Sequence, residues 1–293
     1  MADVLIAFFF MTGLGVLLAS GLGLASRKLY IEEDPRVDQV EQLLPGTPCG
    51  ACGYPNCRAF ALAVVSGQAV PALCTVSSPD NIKAIASYLG IHPGVVARRV
   101  ARLACAGGSN VAWNRATYGS AQSCRGAALI AGGGKSCAWG CLGLGDCATV
   151  CDVGAIRMNE HGLPVVDEAR CTACNACVEV CPKDLFSIHP VSHHLWVACK
   201  SLAEGDGALA ECAVACNGCG RCATDATRGG VTMVNHLPVV DYTRNGEFTR
   251  EIIQGCPTGA IVWIADNGSV EKGASAPPVI RRSPLPVMTI DRP

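Results

Sequence analysis

Aromatic side chains make up only 5% of this 293-residue chain, charged side chains only 16%, and the formal net charge is −1. So few aromatics cannot build a large aromatic core. So little charge provides neither the basic face that nucleic acid requires nor a steering field of either sign. No G-x-G-x-x-G fingerprint follows a strand-like run, so no dinucleotide site is expected. Gly132-Gly133-Gly134-Lys135-Ser136 has the look of a phosphate loop, but that loop needs a glycine where Leu129 stands. No nucleophile sits with a base in a pattern that suggests hydrolysis. The six histidines, His193 and His194 among them, lack metal-ligand spacing and read as surface or turn positions.

What the chain has in excess is cysteine, 20 residues, and glycine, 33. That composition excludes a disordered tail protein and disfavours an ordinary α/β enzyme, since something besides apolar packing must hold these stretches. Val4 to Ser26 is a run of 23 residues without a charge, long enough for one transmembrane helix. A cleaved signal peptide is the rival reading, with small residues at Ala19-Ser20 and Ala25-Ser26, but the preceding residues carry Asp3 and no Lys or Arg. Arg27 and Lys28 follow the run and place the remainder on the cytoplasmic side. Disulfides do not persist in that reducing compartment, so metal ligation is the expected use of the thiols.

The spacing points the same way. Cys171-x2-Cys174-x2-Cys177-x3-Cys181-Pro182 is the bacterial ferredoxin run, in which three thiolates hold one iron–sulfur cluster and the fourth holds its neighbour. A zinc ribbon uses two cysteine pairs and has no need of the tight triplet followed by Cys-Pro. Upstream, Cys137-x3-Cys141-x5-Cys147-x3-Cys151 is a stretched version of the run, with Asp152 in the usual place of proline. Crossed ligation assigns Cys137, Cys141, Cys147 and Cys181 to one cluster and Cys151, Cys171, Cys174 and Cys177 to another. The intervening AIRMNEHGLPVVD reads as strand, glycine turn and strand.

A similar hairpin, GVTMVNHLPVVD, returns at residues 230–241, so the chain holds an internal repeat. Its first run is Cys216, Cys219 and Cys222 with Ala226 in fourth place. Its second keeps only Cys256-Pro257, residues such as Asn245 and Phe248 standing where the triplet belongs. Removing one crossed cluster deletes three thiols from one run and one from the other, which leaves Cys216, Cys219, Cys222 and Cys256 as an intact set. Near the apolar run, Cys49-x2-Cys52-x4-Cys57 with Cys74 makes another four-thiolate set, with Gly50 and Gly53 allowing tight turns; spacing alone leaves zinc open there. Cys105, Cys124, Cys199 and Cys212 remain, two ahead of each ferredoxin-like unit. By count and repeat position they form a candidate fifth cluster, the alternatives being free buried thiols or a ligand exchange with Cys137. The cofactors expected are thus four 4Fe-4S clusters, with a fifth open.

The expected fold class is α+β: an N-terminal transmembrane helix, a small membrane-proximal iron–sulfur domain and tandem bacterial-ferredoxin-like domains. The boundaries fall at 1–28 for the anchor, 29–90 for the membrane-proximal domain, and 91–136 for a linker with extra thiols. They continue at 137–195 for a two-cluster unit, 196–267 for a one-cluster unit and 268–293 for a mobile tail. Asp34-Pro35 through Leu44 reads as a short amphipathic helix, and IKAIASYLG and VVARRVARL, within residues 75–103, both have helical apolar spacing. A helical linker there would let the ferredoxin body swing.

An anchor, then EEDPRVDQVEQLLPGTPCGACGYPNCRAFA, then ferredoxin repeats, resembles the B subunit of the Rnf complex, the ion-translocating ferredoxin:NAD oxidoreductase of bacterial membranes. The likeness covers nearly the whole chain. Cys49, Cys52, Cys57 and Cys74 match that family's membrane-proximal cluster motif, while GGGKSCAWGCLGLGDCATVC is similar to the longer B subunits of anaerobes. The resemblance implies an electron-transfer subunit on the cytoplasmic membrane. Its partners would be soluble ferredoxin, other subunits of the complex and lipid around the helix, and none would be nucleic acid. Ion movement would belong to other subunits, since a single helix without an ionisable residue offers no ion path. Two other readings remain at this stage: an iron–sulfur wire in another membrane reductase or hydrogenase, and a zinc-binding membrane-tethered interaction protein.

Overall fold

The computed structural model describes residues 2–29, 34–47, 49–117, 123–227, 229–278 and 284–287. Helix α1 spans Ala2–Leu29, and its window Phe8–Ala25 buries nothing against the rest of the chain. Among the described residues it is the one helix long and apolar enough to cross a membrane.

Three short helices form the unit that follows. α2 (Pro35–Leu43) starts as the sequence predicts: Asp34 accepts the Arg36 N–H at 2.9 Å and Pro35 takes the first turn, where its missing N–H costs nothing. α3 (Cys57–Val65) is capped by Asn56, and α4 (Pro79–Leu89) runs from Ser78 to a left-handed Gly90. Val37 and Val40 of α2, Phe60, Ala61 and Val64 of α3 and Ile85 of α4 are buried in one core. Arg58 on α3 bonds Glu41 and Asp38 of α2 at its rim.

The next unit begins with a strand where a helix is expected. VVARRVARL forms no helix: Arg99–Leu103 is strand β1, because its backbone pairs antiparallel with a strand near residue 188 and Val100, Ala101 and Arg102 are all buried. Burial on both faces hides the two-residue period, and tertiary pairing outweighs the helical pattern. After β1 come the short helices α5 (Cys124–Leu129) and α6 (Asp146–Thr149), then strands β2 (Ile156–Met158) and β3 (Pro164–Val166), which make the expected hairpin. Helix α7 (Ala176–Val180) and strand β4 (Phe186–Pro190), the partner of β1, close the unit.

The second unit repeats this plan. Strand β5 (Leu195–Val197) takes the place of β1, followed by α8 (Gly205–Glu211), α9 (Arg221–Asp225) and the hairpin β6 (Val231–Val234) to β7 (Leu237–Val240). Asn235 and His236 turn that hairpin, both at positive φ, as a tight two-residue turn requires. α10 (Glu251–Gln254) leads to β8 (Ile261–Ile264), which pairs with β5 as β4 pairs with β1. Phe248, Ile252, Ile253 and Ala226 fill the core where the second cluster of this unit would lie. The segment expected as a tail is partly ordered: β9 (Val270–Glu271) adds to β8, and Leu285 N–H bonds Ser109 O at 2.8 Å. Its residues 279–283 and 288–293 lie outside the described residues.

Candidate metal centres

The four thiols nearest the N-terminus come together. Cys49, Cys52, Cys57 and Cys74 line one opening, walled also by Tyr54 and Phe60. Cys57 begins α3, and Cys74 follows the 3-10 turn Pro71–Leu73. In the last unit, Cys216, Cys222 and Cys256 are buried in one core, with exposed Cys219 as their electrostatic neighbour. Cys171, Cys174 and Cys177 also face one another, and Cys151 packs into the same core as Cys177 and Cys171. Ala173 and Asn175 lie at positive φ between these thiols and fold the triplet tightly.

The remaining eight thiols sort differently from the sequence expectation. Cys105, Cys137, Cys199 and Cys212 line one cavity, and Cys124, Cys141, Cys147 and Cys181 line another. Cys137 and Cys124 have exchanged places. Backbone hydrogen bonds explain the exchange. Trp113 accepts the Ser136 N–H at 2.9 Å and donates to Glu211 O at 3.1 Å, which brings Cys137 beside Cys212. Ala106 N–H bonds Ala198 O at 2.9 Å, and Trp196 Nε1 donates to Leu103 O at 2.8 Å, which sets Cys105 beside Cys199. Cys124 is drawn away by the Asp146 carboxylate, which accepts its N–H at 2.8 Å and that of Arg125 at 3.2 Å.

Comparison with known proteins supports a common design. Residues 44–76 match an Fe-S cluster family, and residues 136–185 match the 4Fe-4S dicluster domain family. The B subunit of the Na(+)-translocating ferredoxin:NAD(+) oxidoreductase complex of Acetobacterium woodii is 35% identical over 91% of this chain and 78% of its own length. The B subunit of the proton-translocating ferredoxin:NAD(+) oxidoreductase complex of Clostridium ljungdahlii is 34% identical over 93% of this chain and 96% of its own. That of the ion-translocating oxidoreductase complex of Methanosarcina acetivorans is 33% identical over 80% and 89%. This chain belongs to the family of Rnf B subunits. Its N-terminal helix makes it a membrane-associated member.

As expected of a family that binds iron–sulfur groups, the thiols are held in apolar surroundings with N–H donors aimed at sulfur. Sγ of Cys151 accepts from Ala155 N–H at 3.2 Å, Cys171 from Ala101 at 3.5 Å and Cys181 from Leu185 at 3.5 Å. Burial pushes the Cys141, Cys177, Cys212 and Cys222 thiols up to about 12, and neighbouring sulfurs add to the rise. Four thiolates can share such a place only around a cationic core. Cys256 is the exception: burial raises it, but N–H donors from Ile261, Thr258 and Ala260 and the Thr258 hydroxyl outweigh that and leave it below the ordinary thiol value.

Of the glycines ahead of Cys137, Gly133 serves close packing. A Cβ on Gly133 would lie 2.4 Å from Leu142 Cδ2. His92 and His236 are exposed and His161 lies in a turn, as expected, while His193 stacks on the Tyr242 ring at 4.0 Å and His189 meets Trp196 edge-on at 4.9 Å. Asp146 and Trp113 went unrecognised in the sequence. The one available hint for Asp146 was an acidic residue directly before Cys147 in the stretched run.

Proposed function

We propose that this chain is the electron-transfer subunit of an ion-translocating ferredoxin:NAD oxidoreductase, with five 4Fe-4S clusters. The ligand sets are Cys49, Cys52, Cys57 and Cys74; Cys124, Cys141, Cys147 and Cys181; Cys151, Cys171, Cys174 and Cys177; Cys105, Cys137, Cys199 and Cys212; and Cys216, Cys219, Cys222 and Cys256. The observation that carries this reading is three cavities each lined by four thiols; shared cores and electrostatic neighbours support the two remaining sets. In three of these sets the sulfurs ring a cavity rather than a point. Around one zinc ion they would sit about 3.8 Å apart, and among the described residues no three His, Cys, Asp or Glu side chains are grouped for a single ion. Clusters in these places supply one-electron carriage between soluble ferredoxin and membrane partners.

The chain's own residues set the order of the groups. Cys216 N–H donates to Cys199 Sγ at 3.3 Å, and Cys141 N–H to Cys105 Sγ at 3.5 Å. The group containing Cys105 and Cys199 therefore stands between the last unit and the first. Cys147 and Cys177 share one core, and the Thr75 hydroxyl, next to Cys74, donates to Thr172 O, next to Cys171, at 2.6 Å. The groups thus form a line from the exposed Cys219 to the membrane-proximal domain. Arg27 and Lys28 put this body on the cytoplasmic side, and lipid surrounds α1.

Anaerobic purification with iron and acid-labile sulfide counts tests the reading. About twenty irons per chain with matching sulfide is expected. Zinc without sulfide would reject it, and a set of partners without flavin subunits would move the chain to another membrane reductase.

A further inference from the structure

Lys135 belongs to the stretch Gly132-Gly133-Gly134-Lys135-Ser136, whose likeness to a phosphate loop fails at Leu129. Its ammonium donates to Cys141 O at 2.8 Å and to Gly107 O, in a part-buried setting. Gly107 lies two residues after Cys105, and Cys141 lines the neighbouring cavity. The lysine is therefore clamped between two thiol groups. It is among the side chains lining the first cavity, and its charge bears on Cys141.

The surroundings are shaped for this side chain. Gly140 has no Cβ, and one there would stand 3.0 Å from Lys135 Cδ. A Cβ on Gly107 would stand 3.1 Å from Cys212 Sγ, so a side chain there would crowd the thiols beside the carbonyl that takes the ammonium. Lys183 and Lys200 also line these cavities, but their ammonium groups bond carbonyls in exposed settings, where water screens them. Of the opposite sign, Glu211 bears on Cys137.

We propose that Lys135 is a positioning residue that fixes a positive charge between two clusters, those of Cys105, Cys137, Cys199 and Cys212 and of Cys124, Cys141, Cys147 and Cys181, and raises the reduction potential of both. This rests on the cluster reading above. A part-buried positive charge favours the reduced, more negative form of each cluster. It also offsets the repulsion between electrons held on neighbouring clusters.

The test is a redox titration of the anaerobically purified full-length protein, followed by electron paramagnetic resonance, with iron counted on each sample. In Lys135→Met, two of the five midpoints should fall by a tenfold change in the reduction equilibrium, about 59 mV for one electron. Lys135→Arg should restore them, and Lys183→Met should move them less. Unmoved midpoints in Lys135→Met with iron at the wild-type count overturn the proposal and leave the cluster reading intact. If Lys135→Met sheds about four irons, Lys135→Gln, which keeps an N–H donor without the charge, is titrated in its place. Wild-type midpoints there overturn the proposal too. A wild-type protein without iron removes the cluster reading, and the proposal with it.

Discussion

The exchange of Cys124 and Cys137 can be tested by pairing serine substitutions. Two ligands of one cluster should cost that cluster once, whereas ligands of two clusters should cost both. In the structure Cys137 shares a cavity with Cys212, and Cys181 shares one with Cys124. From a start of about twenty irons per chain, Cys137→Ser should leave about sixteen. Adding Cys212→Ser should leave that number unchanged, while adding Cys181→Ser should lower it to about twelve. Crossed ferredoxin spacing alone demands the reverse, with Cys137 and Cys181 in one cluster. The assay is iron and sulfide per chain, with the paramagnetic signal of the reduced protein identifying which cluster has gone. An unchanged count in Cys137→Ser with Cys181→Ser, beside a further drop in Cys137→Ser with Cys212→Ser, would refute the cavity assignment. A ligand recruited in place of the lost thiol shows as three irons lost or fewer and an altered signal, which the double variants still separate.

Asp146→Ala removes the acceptor for the N–H groups of Cys124 and Arg125. It should cost about 1.5–3 kcal/mol in thermal unfolding and lower occupancy of the cluster that Cys181→Ser abolishes; loss of the Cys212 cluster instead would contradict the placement. Phe60, 1% exposed in the core of α2, α3 and α4, should cost about 3–5 kcal/mol as Phe60→Ala, read as a lower unfolding midpoint. Burial, then the charges of His193, Arg102 and Arg99, hold His189 down to about 4 from 6.5, with Ser187, Trp196 and Tyr242 also facing it. Between those values the unfolded chain binds a proton that the folded chain does not, so stability should fall as pH drops from 6.5 toward 4. The half-exposed ring limits the loss to about 1–2 kcal/mol. Melts at pH 7 and pH 5 should differ less in His189→Gln, and an equal difference would rule out this residue.

Short-range patterns were legible in the sequence because their causes are local. Asp34-Pro35 starts a helix, Cys-x2-Cys-x2-Cys folds on itself, and both hairpins announce their turns. The Cys49 to Cys74 group could be read off because one small helical core holds it. Illegible were the features set by contacts between distant segments. VVARRVARL has helical spacing, and only its pairing with Phe186–Pro190 makes Arg99–Leu103 a strand. Likewise Cys137 stands near Cys141 in the chain, yet Trp113 ties it to Glu211 and so to Cys212, some seventy-five residues away. The count of twenty foretold five groups; the membership of two of them depended on main-chain bonds that no spacing rule contains.

The group of Cys105, Cys137, Cys199 and Cys212 takes its members from both repeats, two from each. On the proposed ligand sets the duplication is no longer divisible. A gene fragment carrying either half would encode two orphaned thiols at the seam, and neither half could be shed or swapped in evolution without abandoning that centre. It also makes this centre the last that a ribosome can complete among those of the first repeat, since Cys212 must emerge before the ring can close.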